Sequence, residues 1–542
     1  MKRPNISELT IRQKVGQTGM PGPNHVYKGV KECEGYDKYF MKYPFAGLYL
    51  TADMKDHNEQ LIPSPKDLAG VLQEASDACA LPLLVSCDAE YGARDLFDGL
   101  HSVSTNMSMG AARSKELAYQ RSYYYARELR ACGVNWVFGP VCDLLSNFFS
   151  PSGVRCMSDQ PEIIAELLPH IIKGIEDAGV GATAKHFPGS IGDYRDAHFS
   201  ATINNMTKEA WDASCGKVWK TAVDAGADAI MIDHMPFPAV DPSQVRGKAY
   251  RPSTASKKVL DILRQELGYQ GVILTDAVSM KCLTSAFDHE DMYIECFNAG
   301  NDLVLFCHND YIDVMEKAVL DGRVSMERLD EAVERILDLK EKLGLFEGGR
   351  DPKPLTEEEN QKFEQVGYEI GKNAITLINN EDGLIPLNPA KLKRVSIINL
   401  SPYKPFMEDL KVMVQAFEER GMEVALYEYV GNKAKLQSIS ETEDLIIYAC
   451  YLAMSRPQGM SFFSAQGDIL TLFNGLSFGA EKSIVASFGA PSIYYNYFET
   501  AGTYLNAYSN DAGTIKAFVD GILGEYEFTG KSPVALKPKF AD

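Results

Sequence analysis

Short apolar runs recur along the first two-thirds of the chain, each ending in polar or ionisable residues and each leading into a stretch with helical spacing. Strands are predicted at Ala46–Thr51, Leu81–Cys87, Val134–Val141, Val180–Ala184, Ala227–Ile232, Gly271–Thr275 and Asp302–Phe306, with an earlier, weaker one near Val15–Met20. Between them lie amphipathic stretches such as Ser114–Cys132, where Ser114 can cap the first turn and Gly133 can end the helix. Strands that alternate with helices pair in parallel, because each return to the same edge needs a crossover. Eight such units in about 300 residues fit a closed (β/α)8 barrel of the TIM type, although an open doubly wound sheet has the same local rhythm.

The rhythm breaks at Gly348-Gly349-Arg350-Asp351-Pro352-Lys353-Pro354, which is followed by an acidic run at Glu357–Glu359. Glycine and proline interrupt both helices and strands, so this is the expected linker. A barrel domain over 1–347, a linker and connecting helix over 348–372 and a second α/β sandwich domain over 373–542 follow from it. Strands of the second domain are predicted at Ala374–Asn379, Val395–Leu400, Glu423–Tyr427, Leu445–Ala449 and Ser483–Phe488.

Composition narrows the function classes. A chain of 542 residues exceeds one compact core, and 45% hydrophobic with 24% charged residues is ordinary for a globular protein. The formal net charge of −20 repels phosphate backbones and anionic membranes, which argues against nucleic acid or a lipid surface as partner. No apolar run follows the basic residues of the N-terminal stretch Met1–Gln17, and none elsewhere is long enough to span a bilayer. Eleven cysteines without CxxC pairs read as free thiols, so the expected compartment is the cytoplasm. The glycines of Gly133–Gly139 form no phosphate-binding fingerprint, so no dinucleotide, metal or other cofactor is expected.

In a parallel barrel the loops at the carboxyl ends of the strands form one open mouth. The predicted strand ends carry Asp88 and Glu90, Asp143, Lys185 and His186, Asp233 and His234, and Asp276. One such residue is most simply a cap or a surface ion pair. Their recurrence at one level of the barrel points to a site. Between the third and fourth of these ends lies Asp196-Ala197-His198, in which a carboxylate can orient an imidazole and stabilise its protonated form, as a general acid/base requires. Asp276 closes an apolar strand, where a partly desolvated and stiffly held carboxylate suits a nucleophile. Asp143 and Asp233 are expected to organise loops, and Trp211, Trp219 and the Tyr123-Tyr124-Tyr125 cluster to pack helices.

Taken together, Lys185-His186-Phe187-Pro188-Gly189, Asp196-Ala197-His198 and Thr275-Asp276-Ala277-Val278-Ser279-Met280 resemble glycoside hydrolase family 3, in particular its β-N-acetylhexosaminidase branch. The likeness runs almost end to end. Leu9–Gln17 resembles the family's opening helix, Asp88-Ala89-Glu90-Tyr91-Gly92 its Asp-x-Glu-x-Gly strand end, and Arg155-Cys156-Met157-Ser158-Asp159 its sugar-contacting loop. Asn373–Leu387 and Tyr526–Val534 resemble the start and end of its second domain. Ser190-Ile191 depart from the family's common His-Gly, and Ala89–Arg94 depart from Gln-Glu-Gly-Gly-Arg-Val, so a sugar-binding arginine there is displaced or lost.

The resemblance implies a retaining hydrolase of β-linked N-acetylhexosamine that needs no cofactor. Asp276 would be its nucleophile, His198 its acid/base and Asp196 the partner of His198, while Asp193 is a rival partner outside the dyad position. Asp88, Arg155, Lys185, His186 and His234 would contact the sugar. The expected partner is a small carbohydrate, and a homo-oligomer is compatible with the sequence. The rival readings are a phosphorylase that admits phosphate in place of water, a β-glucosidase of the same family, and a sugar-binding protein on an inactive barrel.

Overall fold

The computed structural model describes residues 2–542 except 52–54, 57–58, 61, 63, 77, 146, 148–149, 151, 194, 248, 349–352, 382, 402, 429, 431, 453–476 and 538–542. The central part of the expected linker, Gly349 to Pro352, therefore lies outside the described residues. The chain forms two compact units. One comprises Met1–Ser102, Ser122–Leu144 and Leu168–Glu359; the other comprises Val103–Arg121, Leu145–Leu167 and Asn360–Asp542.

Eight parallel strands build the first unit: β1 (Gly19–Pro21), β2 (Gly47–Tyr49), β3 (Leu84–Cys87), β4 (Trp136–Val137), β5 (Gly181–Phe187), β6 (Ala229–Ile232), β7 (Val272–Thr275) and β8 (Val304–Cys307). β2 to β7 form one sheet in sequence order, and β8 pairs with β1. A bridge between Leu274 and Leu303 joins β7 to β8, and the Ala46 amide donates to the Gly19 carbonyl at 3.1 Å beside β1 and β2. The ring is thereby closed in the order of the chain.

Alternate strand positions fill the interior. Ala229 and Met231, Val272 and Leu274, and Leu303 and Leu305 form one buried cluster with Met20, Leu84 and Trp136. The intervening Ile230, Ile232 and Ile273 are also fully buried, which is why these strands read as unbroken apolar runs. The expected strand at Val15–Met20 starts later, because Thr10 and Gln13 form a reciprocal capping box that launches a helix over Ile11–Gln17. The expected helix at Ser114–Cys132 spans Lys115–Ala131.

Helix Met326–Lys342 adds Ile336 and Leu339 to the barrel core. It also carries Arg328 and Arg335, which with Arg264 surround the fully buried Asp302 carboxylate at 3.1, 3.0 and 2.6 Å. Its Lys340 is buried and hydrogen-bonded to the Gln17 side-chain oxygen. Burial drives the Lys340 ammonium down to about 7, because a charge removed from water is disfavoured.

The second unit holds a six-stranded mixed sheet of β9 (Thr376–Asn380), β10 (Arg394–Asn399), β11 (Glu423–Tyr427), β12 (Leu445–Cys450), β13 (Ser483–Ser487) and β14 (Thr503–Asn506). The strand order is β9-β14-β13-β12-β10-β11, with β9 antiparallel to β14 and the rest parallel. Helices Phe406–Glu418 and Ala512–Ile522 contribute Phe406, Leu410, Ile515 and Phe518 to its core. β14 is absent from the sequence expectation, since Thr-Tyr-Leu-Asn contains no apolar run. No helix among the described residues is long and apolar enough to cross a membrane.

The folded protein holds Lys340 neutral while the unfolded chain protonates it up to about its ordinary 10.5, so the unfolded state binds the extra proton between about pH 7 and 10.5. Stability measured by urea unfolding is expected to rise across that window, with the contribution lost as pH falls to about 7. Lys340→Met should flatten the rise; an unchanged slope would contradict the burial argument.

Candidate active site

Parallel pairing puts the carboxyl ends of β3, β5, β6 and β7 on one rim. At that rim the Lys185 ammonium, with only 2% of its side chain exposed, lies 2.6 Å from Asp88 Oδ1 and 2.6 Å from Glu90 Oε1. The Tyr49 hydroxyl, at the end of β2, donates to Asp88 Oδ2 at 2.5 Å. Burial, and then the neighbouring carboxylate, holds the Tyr49 phenol well above its ordinary value, so it stays a donor. The Asp88 side chain is 44% exposed. It is thus anchored from below by an ammonium and a phenol while its outer face meets solvent. Phe306 and Phe138 pack on the Tyr49 ring and make an apolar floor beside it.

His186 is joined to Lys185 by a cis peptide bond and donates from Nδ1 to Asp143 Oδ2 at 2.7 Å. The other oxygen of Asp143 accepts from the Ser190 amide at 2.9 Å, and the Ser190 hydroxyl bonds to Asp233. Asp143 and Asp233 thus do organise loops. The position where Ser190 departs from the family pattern is the strut between them. Behind this turn, the indole N–H groups of Trp211 and Trp219 both donate to the Pro188 carbonyl, at 2.7 and 3.1 Å, and their rings pack edge-on against Phe187. Gly189 sits at φ +118°, and a Cβ there would lie 3.1 Å from the Cys215 sulfur, so the turn requires glycine.

His198 donates from Nδ1 to Asp196 Oδ1 at 2.6 Å, and the same oxygen accepts the His198 backbone amide at 2.9 Å. Asp196 is buried, whereas the His198 side chain is 45% exposed. The rival Asp193 is engaged elsewhere, in a two-point pair with Arg195 at 3.0 and 2.6 Å. Two backbone hydrogen bonds tie the dyad loop to the turn that follows Asp276: Lys281 N to His198 O at 3.1 Å and Cys282 N to Ala197 O at 3.2 Å.

The Asp276 carboxylate accepts the Ala277 amide on Oδ1 at 2.6 Å. Burial pushes this carboxyl up, but His186, His234 and His198 together with that amide outweigh it, and its acidity ends below the ordinary aspartate value. Asp233 shows the reverse balance: burial raises it despite His186 and Ser190, and the nearby Asp276 adds to the rise.

His234 is fully buried, bonded through Nδ1 to the Thr254 hydroxyl at 2.6 Å and donating from Nε2 to the Ala277 carbonyl at 2.9 Å. With both ring nitrogens committed inside the protein, it braces the segment after Asp276 and has no polar atom left for the expected sugar contact. Arg155 belongs to the second compact unit, at the end of the turn Gly153–Arg155, where its carbonyl accepts from Asn106. Glu90 and Tyr49 received no role from the sequence. Their strand-end positions were the available signal, and for Glu90 the two-residue spacing from Asp88 as well.

A model of the family described as glycosyl hydrolase family 3 N terminal domain matches residues 10–339. A β-N-acetylglucosaminidase/β-glucosidase of Cellulomonas fimi is 28% identical over 509 residues, covering 86% of each chain. A β-hexosaminidase of Thiobacillus denitrificans is 31% identical over 267 residues, 47% of this chain and 72% of its own. Among solved structures, a β-glucoside phosphorylase is similar with a TM-score of 0.83 at 25% identity, covering 98% of this chain and 94% of its own. A family 3 β-N-acetylglucosaminidase from Paenibacillus sp. str. FPU-7 is similar with a TM-score of 0.80 at 27% identity, covering 98% and 100%.

Lys185→Met should remove the ammonium that lies against the carboxylates of Asp88 and Glu90. Destabilisation of about 3 kcal/mol at pH 7.5 is expected, the low end for a broken buried pair because Asp88 is half exposed. The variant should regain part of that loss at pH 5, where the crowded carboxylates can take up a proton. Urea midpoints that are equally low at both pH values would contradict the charge-balance account.

Proposed function

Because the chain belongs to glycosyl hydrolase family 3, we propose that it is a retaining glycosidase that removes β-linked N-acetylhexosamine, N-acetylglucosamine above all, by double displacement. The observation that carries the reading is the Asp196–His198 pair, closed at 2.6 Å and tied through its backbone to the turn that follows Asp276. Support for the sugar comes from the relatives described as β-N-acetylglucosaminidase and β-hexosaminidase.

In the first step Asp276 Oδ2 attacks the anomeric carbon, and protonated His198 gives its Nε2 proton to the departing oxygen. The bond to the leaving alcohol breaks as the glycosyl ester forms. In the second step His198 takes a proton from water, whose oxygen attacks the anomeric carbon and releases Asp276. An Asp276 that stays ionised despite burial suits the attack, and an imidazole fixed by Asp196 through Nδ1 suits the proton transfer. Asp88, anchored by Lys185 and Tyr49, presents its exposed face to sugar hydroxyls, with His186 beside it. His234 is assigned to positioning the Asp276–Ala277 segment. The catalytic domain is read as 1–347, with 348–372 as connector and 373–542 as the second domain. The eleven cysteines, read as thiols, support a cytoplasmic location.

One observation favours a second reading, phosphorolysis. The chain resembles a β-glucoside phosphorylase over nearly its whole length, and a neutral imidazole repels an incoming phosphate less than a carboxylate would.

The test compares aryl N-acetylglucosaminides and aryl glucosides, each with and without phosphate. Reducing N-acetylglucosamine as product, at a rate indifferent to phosphate, is expected. Sugar 1-phosphate as the main product would move the assignment to the phosphorylase. His198→Ala should slow a poor leaving group by about 10²–10⁴-fold and an activated one far less; equal losses on both would remove His198 from the acid role.

A further inference from the structure

Three of the nine histidines of the chain gather on the β8–β1 side of the barrel rim, away from the dyad loop. His25 lies in the helix after β1, His289 opens the helix His289–Ala299 between β7 and β8, and His308 follows β8 directly. The rings of His25 and His308 stack at 4.0 Å, and those of His289 and His308 approach to 4.7 Å. Asp310 completes the group, with Oδ2 at 2.9 Å from His289 Nε2.

Four such groups need a reason to sit together. An isolated surface Asp–His pair needs none, but three imidazoles packed against one another beside a carboxylate gather nitrogen and oxygen donors of the kind that bind metals. The ligand atoms of His289, His308 and Asp310 lie within 4.8 Å of one another. Among the described residues these three are the one His, Cys, Asp and Glu group that meets this spacing. Other carboxylate-rich places at the rim already contain a cation, Lys185 between Asp88 and Glu90 being the clearest.

We propose that His289, His308 and Asp310 bind a divalent transition-metal ion, zinc by their chemistry, at the rim of the barrel. Two imidazoles and one carboxylate are a borderline-soft donor set, which suits zinc and not magnesium or calcium, whose sites are built from oxygen. Tetrahedral zinc at about 2.0–2.1 Å from each ligand requires neighbouring donors about 3.3 Å apart. The His289–Asp310 contact therefore widens by a few tenths of an ångström as the ion replaces the shared proton. His289 and Asp310 are exposed and His308 is half-buried, so the ion enters from solvent. Three protein ligands leave the fourth position to water. The ion would clamp the helix that follows the Asp276 turn to the loop after β8, stiffening one wall of the mouth without touching the reacting atoms.

Zinc chloride titrated into the metal-free full-length protein by calorimetry tests this. The wild type should bind one equivalent more than the His289→Gln/His308→Gln double variant, and the zinc absorption edge should report nitrogen and oxygen neighbours only. Should near-UV circular dichroism show the double variant unfolded, the single exposed change Asp310→Asn carries the comparison, with affinity lowered about 10–100-fold. Equal stoichiometry and affinity in wild type and variants would overturn the proposal. So would sulfur neighbours, or loss of the equivalent in His198→Ala.

Discussion

Ionised groups of both signs crowd a partly dry rim, and two carboxylate–imidazole hydrogen bonds decide how that charge is arranged. Asp143 holds His186 at 2.7 Å and Asp196 holds His198 at 2.6 Å. Each fixes a ring tautomer and supplies negative charge behind an imidazole whose other side belongs to the site. Asp276 then sits in the field of three imidazoles, and its acidity moves against the direction that burial alone would give. Lys185 performs the same service for Asp88 and Glu90. The contacts proposed for the sugar through Asp88 and His186 borrow their geometry from these pairs.

The scaffold behind the rim is chosen for stiffness. Trp211 and Trp219 converge on one carbonyl, Pro188, and so hold the turn between Lys185 and Ser190 from outside the barrel. Ser190 links Asp143 to Asp233, which relates the loops after β4 and β6. His234 reaches under Ala277 from β6. The dyad loop is hung on the Asp276 turn by two amides. A relation between His198 and Asp276 is therefore maintained by backbone contacts even though the His198 ring is half exposed.

Much of this was legible in the sequence because barrel strands buried on both faces leave unbroken apolar runs with ionisable ends. β3, β5, β6 and β7 were readable for that reason, and so was the ring of carboxylates and histidines. β1 was placed too early, since Val15 is apolar in a helix as well as in a strand and the capping box at Thr10 was the stronger signal. β14 escaped because four mixed residues carry no period. Tyr49 was missed, and Glu90 was placed at a strand end without a role, because their importance lies in which partner they meet, a long-range contact that residue spacing does not encode. The same holds for His234: its position at a strand end was correct, while the full occupancy of its ring depends on Thr254 and Ala277.

The proposed mechanism requires that the Asp276 carboxylate, and no other at the rim, bonds to the sugar. A 2-deoxy-2-fluoro or 5-fluoro glycosyl fluoride traps such an ester by slowing its hydrolysis, and peptide mass spectrometry then locates the label. The account predicts one sugar per chain, on the peptide containing Thr275-Asp276-Ala277, with loss of activity in step with labelling. A label on the peptide carrying Asp88, Asp143 or Asp233, or turnover of the reagent with no ester under conditions that trap a retaining enzyme, would contradict it.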